Sequence, residues 1–224
     1  MRIDEITYVS NNGKKVVLRS PELSDSKDLL EYLVKCAGET DYLGRYPEEI
    51  NNTLDEQNSH ISKYLDDEKG FEVSAFVDNN LVANGTIYCI RENMKSKHRA
   101  GYGIAVLKDY WDFGIGNMLT KCCLNHAKKL GYEQVELQVV ADNKRAIHVY
   151  EQHGFKICGT IIDAEKLKDG TYRDLLMMIC KLQYRHKIKG GLLIMILSQQ
   201  SSLSFIYMLS EYSYFAIYSV LRPL

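Results

Sequence analysis

Apolar positions in the first third of the chain alternate and then recur at helical spacing. Lys15–Arg19 alternates as a short strand does, and Ser24, a residue type favoured at helix N-caps, precedes Leu29, Leu30, Leu33 and Val34 on one helical face, a pattern that stops at Gly38. Residues 39–47 read as a loop. Residues 48–67 regain helical spacing through Ile50, Leu54, Ile61 and Leu65, until the polar cluster at 66–70 ends it. From there the period is that of strands: 71–77, a turn at Asp78, Asn79 and Asn80, then 81–90, a polar connection over 91–99, and 101–107. Two hairpins in series predict an antiparallel meander.

The second half changes rhythm. A glycine turn leads into a helix over 116–130, a strand over 132–140, a helix over 143–153 and two closing strands near 155–162 and 174–181. A meander followed by alternating helices and strands predicts a mixed α+β fold, within the broad α/β class, with one sheet flanked by helices.

Composition narrows the function classes. A length of 224 residues is enough for one sizeable core and does not require two domains. With 46% apolar and 25% charged residues the chain has the balance of an ordinary soluble protein. The formal net charge of -1 counts against a nucleic-acid partner or an anionic membrane held by long-range attraction, so any anion must be bound locally. The six cysteines include no C-x-x-C pair and sit in apolar runs, which reads as reduced core thiols and a cytoplasmic location. His148 and His153 do not share a helix face, and no metal site is expected. Arg2, Asp4 and Glu5 break up the N-terminus, so no signal peptide is expected there.

The character shifts after Leu182. Arg185, Lys187 and Lys189 cluster ahead of a stretch, 191–224, whose only formal charges are Glu211 and Arg222. A basic flank before an apolar stretch is the pattern of a membrane anchor, but Ser198, Gln199, Gln200, Ser201, Ser202, Ser204 and Ser210 interrupt the run of about 20 apolar residues that a spanning helix needs. The expected division is a domain over 1–182 and a tail over 183–224, the tail being an ordered extension, an anchor or an incidental segment.

The local signal richest in chemistry is Tyr110-Trp111-Asp112-Phe113-Gly114-Ile115-Gly116-Asn117, between an apolar strand and an amphipathic helix carrying Leu119, Cys122, Cys123, Ala127 and Leu130. A glycine turn that opens a helix aims free backbone N–H groups one way and adds the positive end of the helix dipole, which favours a phosphate without any basic side chain. A dinucleotide fingerprint would place a third glycine at position 119, where Leu119 stands, and would lie in a parallel strand-helix-strand unit. Nicotinamide chemistry is therefore disfavoured. Downstream runs Asp142-Asn143-Lys144-Arg145-Ala146-Ile147-His148-Val149-Tyr150-Glu151-Gln152-His153-Gly154-Phe155.

This segment and the Gly114-Ile115-Gly116 turn together resemble the GNAT family of N-acetyltransferases. That family pairs an x-x-Gly-x-Gly pyrophosphate loop with an Asn-x-x-Ala-x-x-x-Tyr-x-x-x-Gly-Phe segment, and the resemblance spans residues 15–182. It implies a strongly twisted mixed sheet that splays between its fourth and fifth strands, here 101–107 and 132–140, to admit the pantetheine arm of acetyl-CoA. It further implies that the backbone at Ile104, Ala105 and Val106 pairs with pantetheine amides. Asp112, Phe113, Gly114, Ile115, Gly116 and Asn117 would hold the pyrophosphate, Asn143 would bind the pantetheine side, and Tyr150 would stand near the sulfur as proton donor. Asn143 also suits a helix N-cap, and the two roles are compatible. Trp111 departs from the family, which often has Gln or Arg there to assist phosphate binding, so backbone donors must do more.

The implied reaction is direct attack of a small-molecule or peptide amine on the thioester, with no covalent enzyme intermediate. At pH 7 an α-amine with pKa near 8 is roughly 10% neutral, whereas a lysine amine is below about 0.1% neutral and needs a base. The strand over 101–107 offers no carboxylate for that task. Glu136, Gln138 through water, Glu39 and Asp41 are unassigned candidates, and residues 39–46 with the closing strands would select the acceptor. The competing reading from another class is a non-catalytic module that binds or senses acyl-CoA, tethered to a membrane in the variant where the tail is an anchor.

Overall fold

The computed structural model describes residues 1–182. The expectation of a separate 183–224 tail, membrane anchor included, lies outside the described residues. Eight strands form one sheet in the order β1-β2-β3-β4-β5-β6-β8-β7: β1 Ile6–Val9, β2 Lys15–Arg19, β3 Phe71–Val77, β4 Asn80–Cys89, β5 Arg99–Val106, β6 Gln134–Val140, β7 Lys156–Lys166 and β8 Tyr172–Lys181. Every pairing is antiparallel except β5 with β6. The predicted α+β architecture, a meander followed by helix-strand units, is the one observed.

Four helices cover the sheet: α1 Ser26–Glu39, α2 Leu54–Asp66, α3 Ile115–Lys129 and α4 Lys144–Gln152. Two apolar clusters lie on its opposite faces. One joins Phe71, Val73, Ala75 and Val77 of β3 to Ile115, Leu119 and Cys123 of α3 and to Ile147 and Tyr150 of α4. The other joins Leu29, Tyr32 and Cys36 of α1 and Ile61 of α2 to Phe76, Leu81 and Leu107. β3 is buried at every residue because both its faces are covered, as a central strand requires.

The sequence reading differs from the structure at several ends. β1 was not expected: it pairs with β2 at Ile6↔Leu18 through Val9↔Lys15, and its charged neighbours Asp4 and Glu5 hide its short alternation. α1 does not begin at a Ser24 cap. A 3-10 turn over Leu23–Asp25 comes first, and the helix then runs through Gly38 to Glu39. The expected helix over 48–67 divides into a 3-10 turn at Pro47–Glu49 and α2, which starts where Thr53 and Glu56 form a reciprocal cap. There the Glu56 N–H donates to Thr53 Oγ1 at 3.2 Å and the Thr53 N–H to Glu56 Oε2 at 2.8 Å.

The seam between β5 and β6 positions everything that follows. Register holds only at Arg99↔Gln134, Ala100↔Val135 and Gly101↔Glu136. Beyond Gly101 the strands part, β5 continuing to Val106 along β4 while β6 continues to Val140 along β8. The sheet therefore opens a wedge from Gly101 onward.

Candidate active site

Backbone alternation decides which groups of β5 line the wedge. The Leu107 N–H donates to Val82 O of β4 at 2.9 Å, so Leu107, Ala105 and Gly103 turn their main-chain groups toward β4, while Ile104 and Val106 turn theirs toward the gap. Of the three expected pantetheine-pairing positions, Ile104 and Val106 thus turn toward the gap. Ala105 is placed differently: its carbonyl accepts the Tyr32 hydroxyl at 2.7 Å. The Val106 carbonyl is already covered by the Trp111 indole N–H, at 2.8 Å.

Between β5 and α3 the chain makes a 3-10 turn at Lys108–Tyr110 and then the loop. Asp112 sits at φ 65 and Gly114 at φ 81, both left-handed. At Gly114 a side chain would be strained by the left-handed backbone, and a Cβ would crowd the Asn11 side chain at 3.0 Å. Asn11, in the β1–β2 turn, braces this loop: its N–H donates to Phe113 O at 3.0 Å and its side-chain amide to Asp112 O at 3.3 Å. Sequence reasoning missed that brace, since nothing local links residues about 100 apart.

Ile115, Gly116 and Asn117 open α3 with no side-chain cap, and the first intrahelical bond runs from the Met118 N–H to Gly114 O. Three N–H groups are therefore left for solvent or a ligand. A Cβ on Gly116 would meet nothing within 4 Å, so the space over this helix end is open. The contrast with α4 is direct: Asn143 Oδ1 accepts from the Ala146 N–H at 3.1 Å and caps that helix. The Asn143 side-chain NH2 keeps no partner among the described residues. The Asn117 side chain is occupied, its Oδ1 lying 3.2 Å from His153 Nε2. Burial pushes His153 below the usual histidine range, with Lys121 adding to the effect, so the ring stays neutral beside the helix end.

Tyr150 projects from α4 into the core at 7% exposure, its ring 6.2 Å from that of Tyr102 and 5.7 Å from that of Phe155. Its hydroxyl has no hydrogen-bond partner among the described residues. Burial raises its pKa well above the ordinary phenol range, which keeps it a neutral O–H donor at physiological pH. Tyr102 in turn ties β5 to the first turn of α3: its hydroxyl lies 3.0 Å from Thr120 Oγ1, which donates to Gly116 O at 2.7 Å. The sequence reading did not find this chain, because Tyr102 and Thr120 carry no motif.

The base candidates are also placed. Glu136 receives Arg99 through two guanidinium contacts, one at 2.6 Å, and Gln134 Nε2 at 2.6 Å. Arg99 holds its carboxyl below the usual range, which makes it a weak proton acceptor. Glu39 accepts the Lys108 N–H at 2.6 Å, and Asp41 lies 3.9 Å from Arg173. β5 itself carries no carboxylate on the face shared by Gly101 and Gly103. The Tyr88 ring lies directly over Gly101, where a Cβ would come 2.2 Å from it, while the space over Gly103 is open. A carboxylate overlooked in the sequence, Glu72 of β3, is buried. Its Oε1 accepts Asn84 Nδ2 at 2.6 Å, and its Oε2 faces His60 Nε2 at 3.6 Å.

Among the described residues no helix is long and apolar enough to cross a membrane, and no His, Cys, Asp and Glu side chains group for a metal ion.

The chain is 30% identical over 162 residues to the L-amino acid N-acetyltransferase AaaT of Escherichia coli, covering 66% of this chain and 96% of that one. It is 30% identical over 73 residues to mycothiol acetyltransferase of Propionibacterium freudenreichii, a match that spans 33% of this chain and only 23% of that protein. A GNAT acetyltransferase structure from Streptococcus pneumoniae superposes with a TM-score of 0.71 at 23% identity, covering 74% of this chain and 99% of the other. YncA of Salmonella typhimurium, solved with its cofactor acetyl-CoA, superposes with a TM-score of 0.66 at 13% identity, covering 76% and 96%. These two likenesses carry the fold. The model of the acetyltransferase (GNAT) family matches residues 28–155, more than half of the chain and the whole stretch from α1 through the wedge and the glycine loop to α4, and the protein belongs to that family.

Proposed function

We propose that the protein transfers the acetyl group of acetyl-CoA to the α-amine of a free amino acid or a similarly weakly basic amine, by direct attack within a ternary complex. The observation that carries this is the uncapped first turn of α3, opening beside a wedge whose β5 edge turns the main-chain groups of Ile104 and the N–H of Val106 toward the gap, the Val106 carbonyl being held by Trp111. The N–H groups of Ile115, Gly116 and Asn117 match a diphosphate, the β5 edge matches the amides of a pantetheine arm, and the spare NH2 of Asn143 matches one of its carbonyls. No basic side chain lies within the loop itself, so the loop's share of the recognition falls to main-chain donors.

A donor from the open edge of β5 would stabilise the oxyanion that develops on the thioester carbonyl. The Tyr150 hydroxyl, neutral and without a partner among the described residues, donates to the departing sulfur, and the proton shed by the attacking amine passes to solvent, from which the phenol is restored. Holding both reactants in one wedge replaces a bimolecular encounter with an oriented one, which in favourable systems contributes about 7 to 11 kcal/mol. The acceptor class is supported by two things. AaaT, which matches along almost its whole length, is by name an L-amino acid N-acetyltransferase. β5 itself carries no carboxylate, and the two that flank its Gly101–Gly103 face, Glu136 and Glu72, are held by Arg99 and by Asn84, which suits an amine already partly neutral near pH 8.

The test is thiol release from acetyl-CoA with a panel of L-amino acids, polyamines and peptides carrying a free N-terminus or only a lysine amine. Turnover with α-amines and little with lysine amines is expected. Binding of acetyl-CoA without turnover on any amine would establish the non-catalytic alternative.

A further inference from the structure

The glycine loop carries an unusual charge for an anion site. From Trp111 to Asn117 it has no basic side chain and one carboxylate, Asp112, whose side chain is 77% exposed. A carboxylate beside the open end of α3 opposes a phosphate, because like charges at this separation repel even through water. The answer comes from another element. Arg145, the second residue of α4, places Nη1 3.1 Å from Asp112 Oδ2 and lays its guanidinium over the Trp111 ring at 4.6 Å from the centroid.

This contact is poorly explained as a stabilising ion pair. Both partners are about half exposed or more, and such pairs add little to stability. Its geometry does explain a ligand role. Asn143 caps α4 and fixes where the helix begins, so Arg145 projects from its first turn toward the β5–α3 loop. Trp111 is itself pinned by its bond to the Val106 carbonyl, so the aromatic platform beneath the guanidinium is held from β5. Arg145 Nη1 is committed to Asp112, and a guanidinium has five N–H donors arranged to match oxyanions.

We propose that Arg145 is the phosphate-recognising cation of this site, supplied from α4 in place of a basic residue in the loop, with Asp112 and Trp111 as the carboxylate and aromatic face that orient it. The inference rests on the acetyl-CoA reading above. In the free protein Asp112 occupies part of the guanidinium. In the complex Arg145 keeps that carboxylate neutralised while donating its remaining N–H groups to a phosphate, either the diphosphate or the phosphate on the ribose.

Calorimetry of the full chain with CoA, dephospho-CoA and pantetheine tests this, using wild type, Arg145→Gln, Asp112→Asn and the double variant, each checked for an unchanged thermal midpoint. Arg145→Gln is expected to weaken CoA by about tenfold or more, the usual scale for a charge-assisted contact, and to leave pantetheine unchanged. An equal loss for dephospho-CoA assigns the diphosphate, and a loss confined to CoA assigns the ribose phosphate. The double variant is expected to recover part of the loss, because the unanswered carboxylate is gone. Equal weakening of pantetheine, CoA affinity within about twofold of wild type in Arg145→Gln, or no recovery in the double variant overturns the proposal. Wild type that binds pantetheine and CoA alike overturns it too, and wild type that binds neither overturns the acetyl-CoA reading with it.

Discussion

Two regions of the molecule are built by different means. In one, β5, α3 and α4 present main-chain groups: the edge at Ile104, the three N–H groups that open α3, and the capped start of α4. In the other, the 40–49 loop meets the β7–β8 hairpin through side chains. There Arg173 donates to Asp41 O at 3.2 Å and faces the Tyr42 ring at 5.6 Å, the Lys168 N–H donates to Tyr46 Oη at 3.0 Å, and Lys168 pairs with Glu48. In the proposed function a ligand common to many enzymes would be met by backbone, which substitution of side chains barely alters, and a variable partner by side chains on loops, which can be exchanged without disturbing the sheet.

That division predicts that substitutions in the two regions separate cleanly. The largest expected effect is at Tyr150→Phe, which removes the proposed donor to sulfur: kcat is expected to fall about 100-fold or more while the Kd for acetyl-CoA holds. Steady-state kinetics beside calorimetry would show it, and unchanged turnover would remove the role. Gly116→Val should come next. Its backbone is not left-handed and the space around it is open, so the fold tolerates the change, but the side chain fills the ligand's place and weakens CoA by about 10- to 100-fold.

In the other region, Arg173→Ala is expected to raise the KM for the acceptor about tenfold and leave CoA affinity alone. A matching loss of CoA affinity would break the comparison. Smallest is Thr53→Ala, which removes the α2 cap at a cost of about 1 kcal/mol in urea unfolding and touches neither ligand. Acidity offers one more check. Arg99 depresses the pKa of Glu136 in the folded state, so that carboxylate contributes stability above its unfolded pKa of about 4.3 and loses it as pH falls through the lower folded value. The stability gap between wild type and Glu136→Gln should therefore be present at pH 7 and close below about pH 4.

The same division explains what could be read from the chain beforehand. Gly114 is imposed by a left-handed backbone, Asn143 by a helix start and Tyr150 by its place in the Asn-x-x-Ala-x-x-x-Tyr run, so each shows in local sequence. β3, β4 and β5 were legible because alternation and an Asp-Asn turn are also local. β1 was not, since a four-residue strand declares itself only through its partner β2. Nor were the Asn11 brace, the Tyr102–Thr120 link or the Arg145–Asp112 pair, which join residues far apart in the chain. Glu39 and Asp41 looked available as bases because sequence does not reveal that a carboxylate already has a partner.

Trp111 is the chain's single tryptophan, and it lies where strand edge, glycine loop and α4 meet. Its indole N–H is committed to one carbonyl and its face to one cation, so anything that shifts either contact changes the emission of the dominant fluorophore. The molecule thus carries its own optical reporter at the mouth of the wedge, with which a rapid-mixing experiment can test, with no label attached, for the arrival of the proposed nucleotide carrier.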